Sequence, residues 1–537
     1  MMVANPFAFA PGDSAAAVQI GAGIRTRMQD VAGRDYVVVQ QSQMNDALTQ
    51  YGYPKDAILS PPLAITLAKN IQARVAVTST IAKVPGNRYA VTARLAGVND
   101  DAGNVISLAQ ANGQSLTDLG KKVADALQPA VKSLDEARGC VDQQRTKPDK
   151  AEDAAAKATK ALPNNGLAQF CLAQIKIAQK APRPEVVKHL QSSVKGDPLS
   201  LPAWTALATQ YQIANDTANT LVAFKQMLRV APTNQKLRQE IFKYFLQSGH
   251  PETALEVADA GLKIDPYNAD LYDLKSNACL FLSNFKCAVD ALETMYATDS
   301  TKADTLFFTK ISAAAAEGEH PDTARLVKWA QLGVRKYPDN LTLLGYLNRG
   351  YVLTGQVDSS LSVTQRLIQK DTTAVVPALA AVQSLATAKR LNEGTPYIDY
   401  VTKYGDTQRK EQLAVIVVNA ALPLLSADSA AGTQQDLPGA AAYAKQATTL
   451  VDSTSKVGPT ANYILGLALF LQAAQLDEQT EKEKSCDKAN QEQQLLTDAD
   501  AALKAGESAK PEVVKQYLGY VTKFQPRIKA MLKAYCK

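Results

Sequence analysis

The sequence predicts an α+β fold in which a small N-terminal α/β domain precedes an all-α superhelical solenoid, and three observations predict it. Residues 1–128 interleave strand-like and helix-like patterns. From about residue 130 the strand patterns vanish. Beyond that point Pro163, Pro198, Pro232 and Pro266 follow one another at intervals of 35, 34 and 34 residues, and a fixed period of this size marks a stacked repeat array. The expected division is therefore an α/β domain over 1–128, a helical solenoid over 129–475 and a helical cap over 476–537.

In chain order, Met2 to Phe9 reads as a strand, Ala15 to Asp30 as an amphipathic helix, Tyr36 to Val39 as a strand, and Gln43 to Tyr51 as a helix entered after Ser42. A second short helix follows Pro62. Ala73 to Val84, Arg88 to Val98 and Asn104 to Ala111 read as strands, with Pro85-Gly86 and Asp101 to Asn104 supplying turns. Leu116 to Leu127 closes the domain as a helix.

In the repeat region, the segment after Pro198 carries Trp204, Leu207, Ala208, Tyr211, Phe224 and Pro232. The segment after Pro266 carries Tyr272, Ser276, Ala288 and Leu292, and that after Pro338 carries Leu344, Leu347, Tyr351, Gly355 and Leu367. This pattern resembles the tetratricopeptide repeat. Large residues of the first helix fill the groove to its partner, and the small ones (Ala208, Ala254, Ser276, Ala288) let two backbones approach. One pair cannot bury its apolar face alone, so neighbours must stack. Eight or nine pairs are expected, four of them between Gly166 and Asp299. Degenerate copies are read at Lys132 to Leu162, Ala303 to Tyr337, Ala374 to Lys403 and Gln408 to Leu450. Ser426 to Pro438 reads as a loop and Asp477 to Lys488 as a charged helix or linker. Asn490 to Lys504 and Pro511 to Cys536 form the cap, kinked at Pro526.

The opening strand with Pro6-Phe7, the strand ending near Gln40, the helix pair, and the run NIQARVAVTSTI followed by RYAVTARLAGVNDDAGNVIS resemble the N-terminal α/β domain of TolB and related domains ahead of helical repeats in exported bacterial proteins. That resemblance implies docking within cell-envelope assemblies, without chemistry.

Charge and composition narrow the function. The 537 residues are 46% hydrophobic and 20% charged, with a net charge of +6 and no basic block, which argues for a folded chain without a nucleic-acid or polybasic membrane surface. The apolar runs Leu413 to Leu425 and Tyr463 to Ala474 are too short to cross a hydrocarbon core of about 30 Å, so no transmembrane segment is expected. With no basic region ahead of an apolar one and a start close to a strand, the sequence reads as a mature or trimmed product.

Three separated histidines, His189, His250 and His320, build no HExxH site, and there is no GxSxG elbow or GxxxxGK[ST] loop. No enzyme, metal or cofactor is expected. Gly21 to Thr26 echoes a dinucleotide fingerprint but lies in a predicted helix. Asn99, Asp100 and Asp101 read as a solvated turn, with a weak calcium contact as the alternative.

Six cysteines form no CxxC or zinc-like spacing. Cys140 with Cys171, Cys279 with Cys287, and Cys486 with Cys536 are the natural local pairs among fifteen connectivities, and pairing implies an oxidising compartment: periplasm, cell surface or outside. The alternative is six buried thiols in a cytosolic protein.

The solenoid's inner face is the candidate binding site, with Thr205/Thr209, Gln239/Lys243 and Asp273/Asn277 at the positions where the carboxylate-clamp subclass of the resembling family carries lysine and asparagine. That clamp is not present. The expected role is an exported scaffold that binds protein partners. The alternative is a structural subunit whose copies join head to tail into a fibre. Asn215 and Asn340 head glycosylation acceptor triplets.

Overall fold

The order of elements follows from where each stretch can satisfy its backbone and bury its apolar side. A computed structural model describes residues 1–427 and 435–536. The chain divides into two compact units, Met1–Tyr244 and Phe245–Lys537. The loop read over Ser426 to Pro438 lies largely outside the described residues, and Leu437 and Pro438 already belong to a helix.

The first unit opens with the strands β1 (Met2–Val3) and β2 (Phe7–Ala8) and the helices α1 (Ser14–Ala32), α2 (Gln41–Gln50) and α3 (Pro61–Asn70). Strands β3 (Val75–Val84), β4 (Arg88–Gly97) and β5 (Asn104–Ala109) follow, then helix α4 (Leu116–Lys132). β1 and β2 both pair parallel with β3, and β3–β4–β5 form an antiparallel meander. The expected single strand over Met2 to Phe9 is thus two short ones. Asn5-Pro6 parts them, because proline brings no N–H to a ladder, and Asn5 turns its side chain inward. Tyr36 to Val39 forms no strand: its backbone meets only Met1, through Val37 O and Val39 N.

One sheet face is covered by α1 and α4, where Ile20, Ile24, Val77, Val91, Leu95, Val123 and Leu127 share a core. The echo of a dinucleotide motif has its explanation here. A Cβ on Gly23 would sit 2.2 Å from Thr117 O, and one on Gly120 would sit 2.2 Å from Ile20 O. These glycines allow two helices to touch backbone to backbone.

The remaining helices of the first unit are α5 (Leu134–Gln143), α6 (Pro148–Ala161), α7 (Gly166–Ala178), α8 (Arg183–Gly196), α9 (Leu201–Ile213) and α10 (Thr217–Val230). Helix α11 (Gln235–Gln247) spans the division between the units. The second unit holds α12 (Pro251–Ile264), α13 (Ala269–Phe281), α14 (Phe285–Thr298), α15 (Thr305–Ala316), α16 (Thr323–Lys336), α17 (Leu341–Leu353) and α18 (Val357–Lys370). It continues with α19 (Val375–Thr387), α20 (Thr395–Tyr404), α21 (Thr407–Ala421), α22 (Leu437–Leu450), α23 (Val457–Glu483), α24 (Cys486–Ala505) and α25 (Pro511–Tyr535).

The chain is therefore α+β, a small N-terminal sheet followed by a helical repeat region. From α7 to α14 helix lengths alternate strictly between 13 and 14 residues. The small residues Ala208, Ala254, Ser276 and Ala288 are buried as the packing argument requires. Ala208→Leu should overpack its helix pair and lower stability by about 1–3 kcal/mol, read as a shift in the denaturant midpoint. An unchanged midpoint would contradict the packing described here.

Two expectations about the C-terminal part need correction. Asp477 to Lys488 is neither a separate helix nor a linker: α23 continues to Glu483, turns at the left-handed Lys484, and α24 begins at Cys486. The 27-residue α23 is also long and apolar enough, by length and composition, to cross a membrane. The run Tyr463 to Ala474 understated it, because the helix extends beyond that run at both ends. Ala461, Ile464, Ala468 and Ala473 on this helix are buried in the second unit's core.

Candidate functional site

The repeats are built on one recurring device. Two residues after each of Pro163, Pro198, Pro232 and Pro266 stands a side chain that caps the next helix: Asn165, Ser200, Asn234 and Asn268 each accept a hydrogen bond from a first-turn N–H. Four residues further on, a different side chain donates back to the proline carbonyl. Gln169 Nε2 reaches Pro163 O at 2.7 Å, Trp204 Nε1 reaches Pro198 O at 2.9 Å, Arg238 Nη2 reaches Pro232 O at 2.8 Å, and Tyr272 OH reaches Pro266 O at 3.1 Å. Core packing, the sequence reading of Trp204 and Tyr272, thus accounts for only part of their role. Both rings are half-buried with the polar tip engaged.

The turn between β4 and β5 is where sequence reasoning missed most. Asn99 and Asp101 are exposed, as a solvated turn requires, but Asp100 between them is half-buried. The Asp100 carboxylate accepts from Gly97 N and lies 3.5 Å from Arg138, and burial, opposed by Arg138, raises its pKa. Asp101 O accepts from Ser200 Oγ at 2.6 Å. A Cβ on Gly166 would stand 2.2 Å from Gly103 O, so glycine lets α7 start directly against this turn. At the centre lies Asp197, fully buried. It takes Arg94 Nε and Nη2 at 3.0 and 2.8 Å, Gly103 N at 2.7 Å and Leu199 N at 3.1 Å. An aspartate directly before a repeat proline was the available signal. Its partner Arg94 lies 103 residues away, beyond the reach of any local pattern.

Arg25 is a buried cation of this unit as well. Its guanidinium donates to Asn5 Oδ1 at 2.9 Å and Gly21 O at 3.2 Å, and burial lowers its pKa to about 10, with the charge of Asp56 acting the other way.

The inner-face candidates divide sharply. Thr205 and Thr209 are exposed, with hydroxyls bonded back to Leu201 O and Thr205 O of their own helix. Gln239 is half-buried and Lys243 exposed. Asp273 and Asn277 are engaged internally: Lys310 Nζ of α15 binds Asp273 Oδ1 at 2.6 Å and Asn277 Oδ1 at 2.9 Å, and Asn277 Nδ2 donates to Asp273 Oδ2 at 3.2 Å. Of the glycosylation triplets, Asn215 is exposed in the α9–α10 turn, whereas Asn340 caps α17 by accepting from Leu343 N.

All six cysteines are joined in the local pairs. Cys140–Cys171 ties α5 to α7, the first helices of consecutive pairs, with Cα atoms 6.3 Å apart. Beside it Gln144, Arg145, Gln174, Ile175 and Gln179 line an open cleft of about 530 Å³. Cys279–Cys287 closes the α13–α14 turn, and Cys486–Cys536 joins the start of α24 to the end of α25. No group of three or more His, Cys, Asp or Glu that could hold a metal occurs among the described residues.

Neither a protein-family model nor a curated protein matches the chain. Among solved structures, the chain is similar to Naa15/Naa10 bound to HypK-THB at 14% identity and a TM-score of 0.40, covering 75% of this chain and 68% of that one. It is similar to the C-terminal part of a TPR repeat-containing protein from Cytophaga hutchinsonii at 15% identity and a TM-score of 0.31, covering 51% and 95%. It is also similar to PilW, a type IV pilus biogenesis factor, at 12% identity and a TM-score of 0.20, covering 47% and 98%.

Proposed function

We propose that this chain is a non-enzymatic exported scaffold whose tetratricopeptide-like helices bind a protein partner, with a TolB-like N-terminal domain that docks to an envelope component. The observation that carries the reading is the split among the inner-face residues. Thr205, Thr209 and Lys243 are exposed where a partner can reach them, whereas Asp273 and Asn277 are occupied by Lys310. The three cystines support an oxidising compartment.

The division into 1–128, 129–475 and 476–537 is proposed as one of role. Both cuts fall inside helices, α4 and α23, so neither is proposed as a folding boundary.

A photo-crosslinking side chain placed at Thr209 or Lys243 in the native host should capture a discrete protein, and the same probe at Asp273 should capture little. Equal capture at all three positions would remove the binding face. The alternative of head-to-tail assembly separates in the same experiment, because the captured protein would then be a second copy of this chain and the purified protein would sediment as a concentration-dependent series.

A further inference from the structure

Where α23, α24 and α25 pack together, two carboxyl groups are held out of water. Glu492 on α24 is 0% exposed and Asp477 on α23 is 9% exposed. Both oxygens of Glu492, and Oδ1 of Asp477, lie without a hydrogen-bond partner. Among the described residues the single nearby cation is already committed: Arg527 Nη2 on α25 lies 2.9 Å from Asp477 Oδ2 and 2.9 Å from Glu481 Oε2. Two buried negative charges served by one guanidinium, which meets only the aspartate of the pair, would be costly. A proton on Glu492 removes one charge and supplies the O–H that the unpartnered Asp477 oxygen can accept.

We propose that a proton held between Glu492 and Asp477 latches the three C-terminal helices together, so that their opening is governed by pH. The charged groups that face this point are Asp477 and Glu481 of α23 and Arg527 of α25, with Thr480 beside them. Thr480 spends its own proton on Leu476 O. Burial first, and then the charge of Asp477, push the Glu492 carboxyl up to about 7, against about 4.3 for a free glutamate.

A carboxyl raised on folding gives stability that is complete below the free value and is lost as pH climbs through the folded value. Between these limits the closed state carries one more proton than the opened one. Each pH unit then changes the opening equilibrium about tenfold.

The test is hydrogen exchange on the full-length oxidised protein, corrected for the intrinsic pH dependence of amide exchange. Protection of α23–α25 amides should fall about fortyfold between pH 5 and pH 7, while α15–α18 stay level. Glu492→Gln keeps the shape and donates without titrating, so it should flatten the profile and leave protection at pH 8 at or above that of the parent. A level profile in the parent protein, or a variant that keeps the slope, overturns the latch. A second readout needs no variant: the infrared carbonyl band of a buried protonated carboxyl should be present at pH 6 and gone at pH 8.5. Its absence at pH 6 overturns the proposal equally.

Discussion

Asp197→Ala should destabilise the first unit by about 3–5 kcal/mol, the cost of stranding a partly buried charge when its partner is removed. Arg94, with 20% of its side chain exposed, would lose both contacts to the aspartate, and the N–H groups of Gly103 and Leu199 would lose their acceptor. The loss separates into two parts in a double-mutant cycle. Arg94→Ala alone should cost less, because Asp197 keeps its two backbone donors. In the Asp197→Ala background the arginine change should add little, or even restore some stability. Denaturant midpoints of the four proteins decide the matter. Strictly additive losses would mean that arginine and aspartate are neighbours without coupling.

Cys140→Ala combined with Cys171→Ala should be of similar size. Opening a loop with a sequence separation of 31 releases about 3–4 kcal/mol of unfolded-chain entropy in the loop-closure description. Both sulfurs are fully buried beneath α5 and α7, so the shortened side chains also leave unfilled space. The expected result is a large fall in midpoint for the double variant, equalled or exceeded by the parent protein under strong reductant, which opens all three bridges. Finding no free thiols in protein taken from its native source, by intact mass after alkylation without reductant, would carry the exported reading. Six free thiols would end it.

What the sequence disclosed depended on the range of each interaction. The proline interval found the helix pairs because each pair is closed by bonds within a few residues: the cap two positions on, the donor six positions on. Cysteine pairing was legible for a related reason, since each bridge joins adjacent or alternate helices. The Arg94–Asp197 contact was not, because a strand residue and a repeat-loop residue share no local periodicity. Asp273 and Asn277 illustrate the limit at the candidate site. Their positions in the repeat were read from spacing, but the lysine that satisfies them stands on another helix, out of register with the pattern being followed. Glu492 was hidden for the opposite reason, because a glutamate in a charged stretch ordinarily faces solvent, and only the crossing of three helices encloses it.

The bond from each repeat's donor to its proline carbonyl has a further consequence. An amide, an indole, a guanidinium and a phenol all perform one task in successive copies. What the position demands is reach and one proton, with no particular chemistry behind them. The four copies are in effect four different answers to one task inside one polypeptide. Such a position can vary across amino-acid classes while the bond to the proline carbonyl is kept, so the architecture can outlast any recognisable likeness between the sequences that build it.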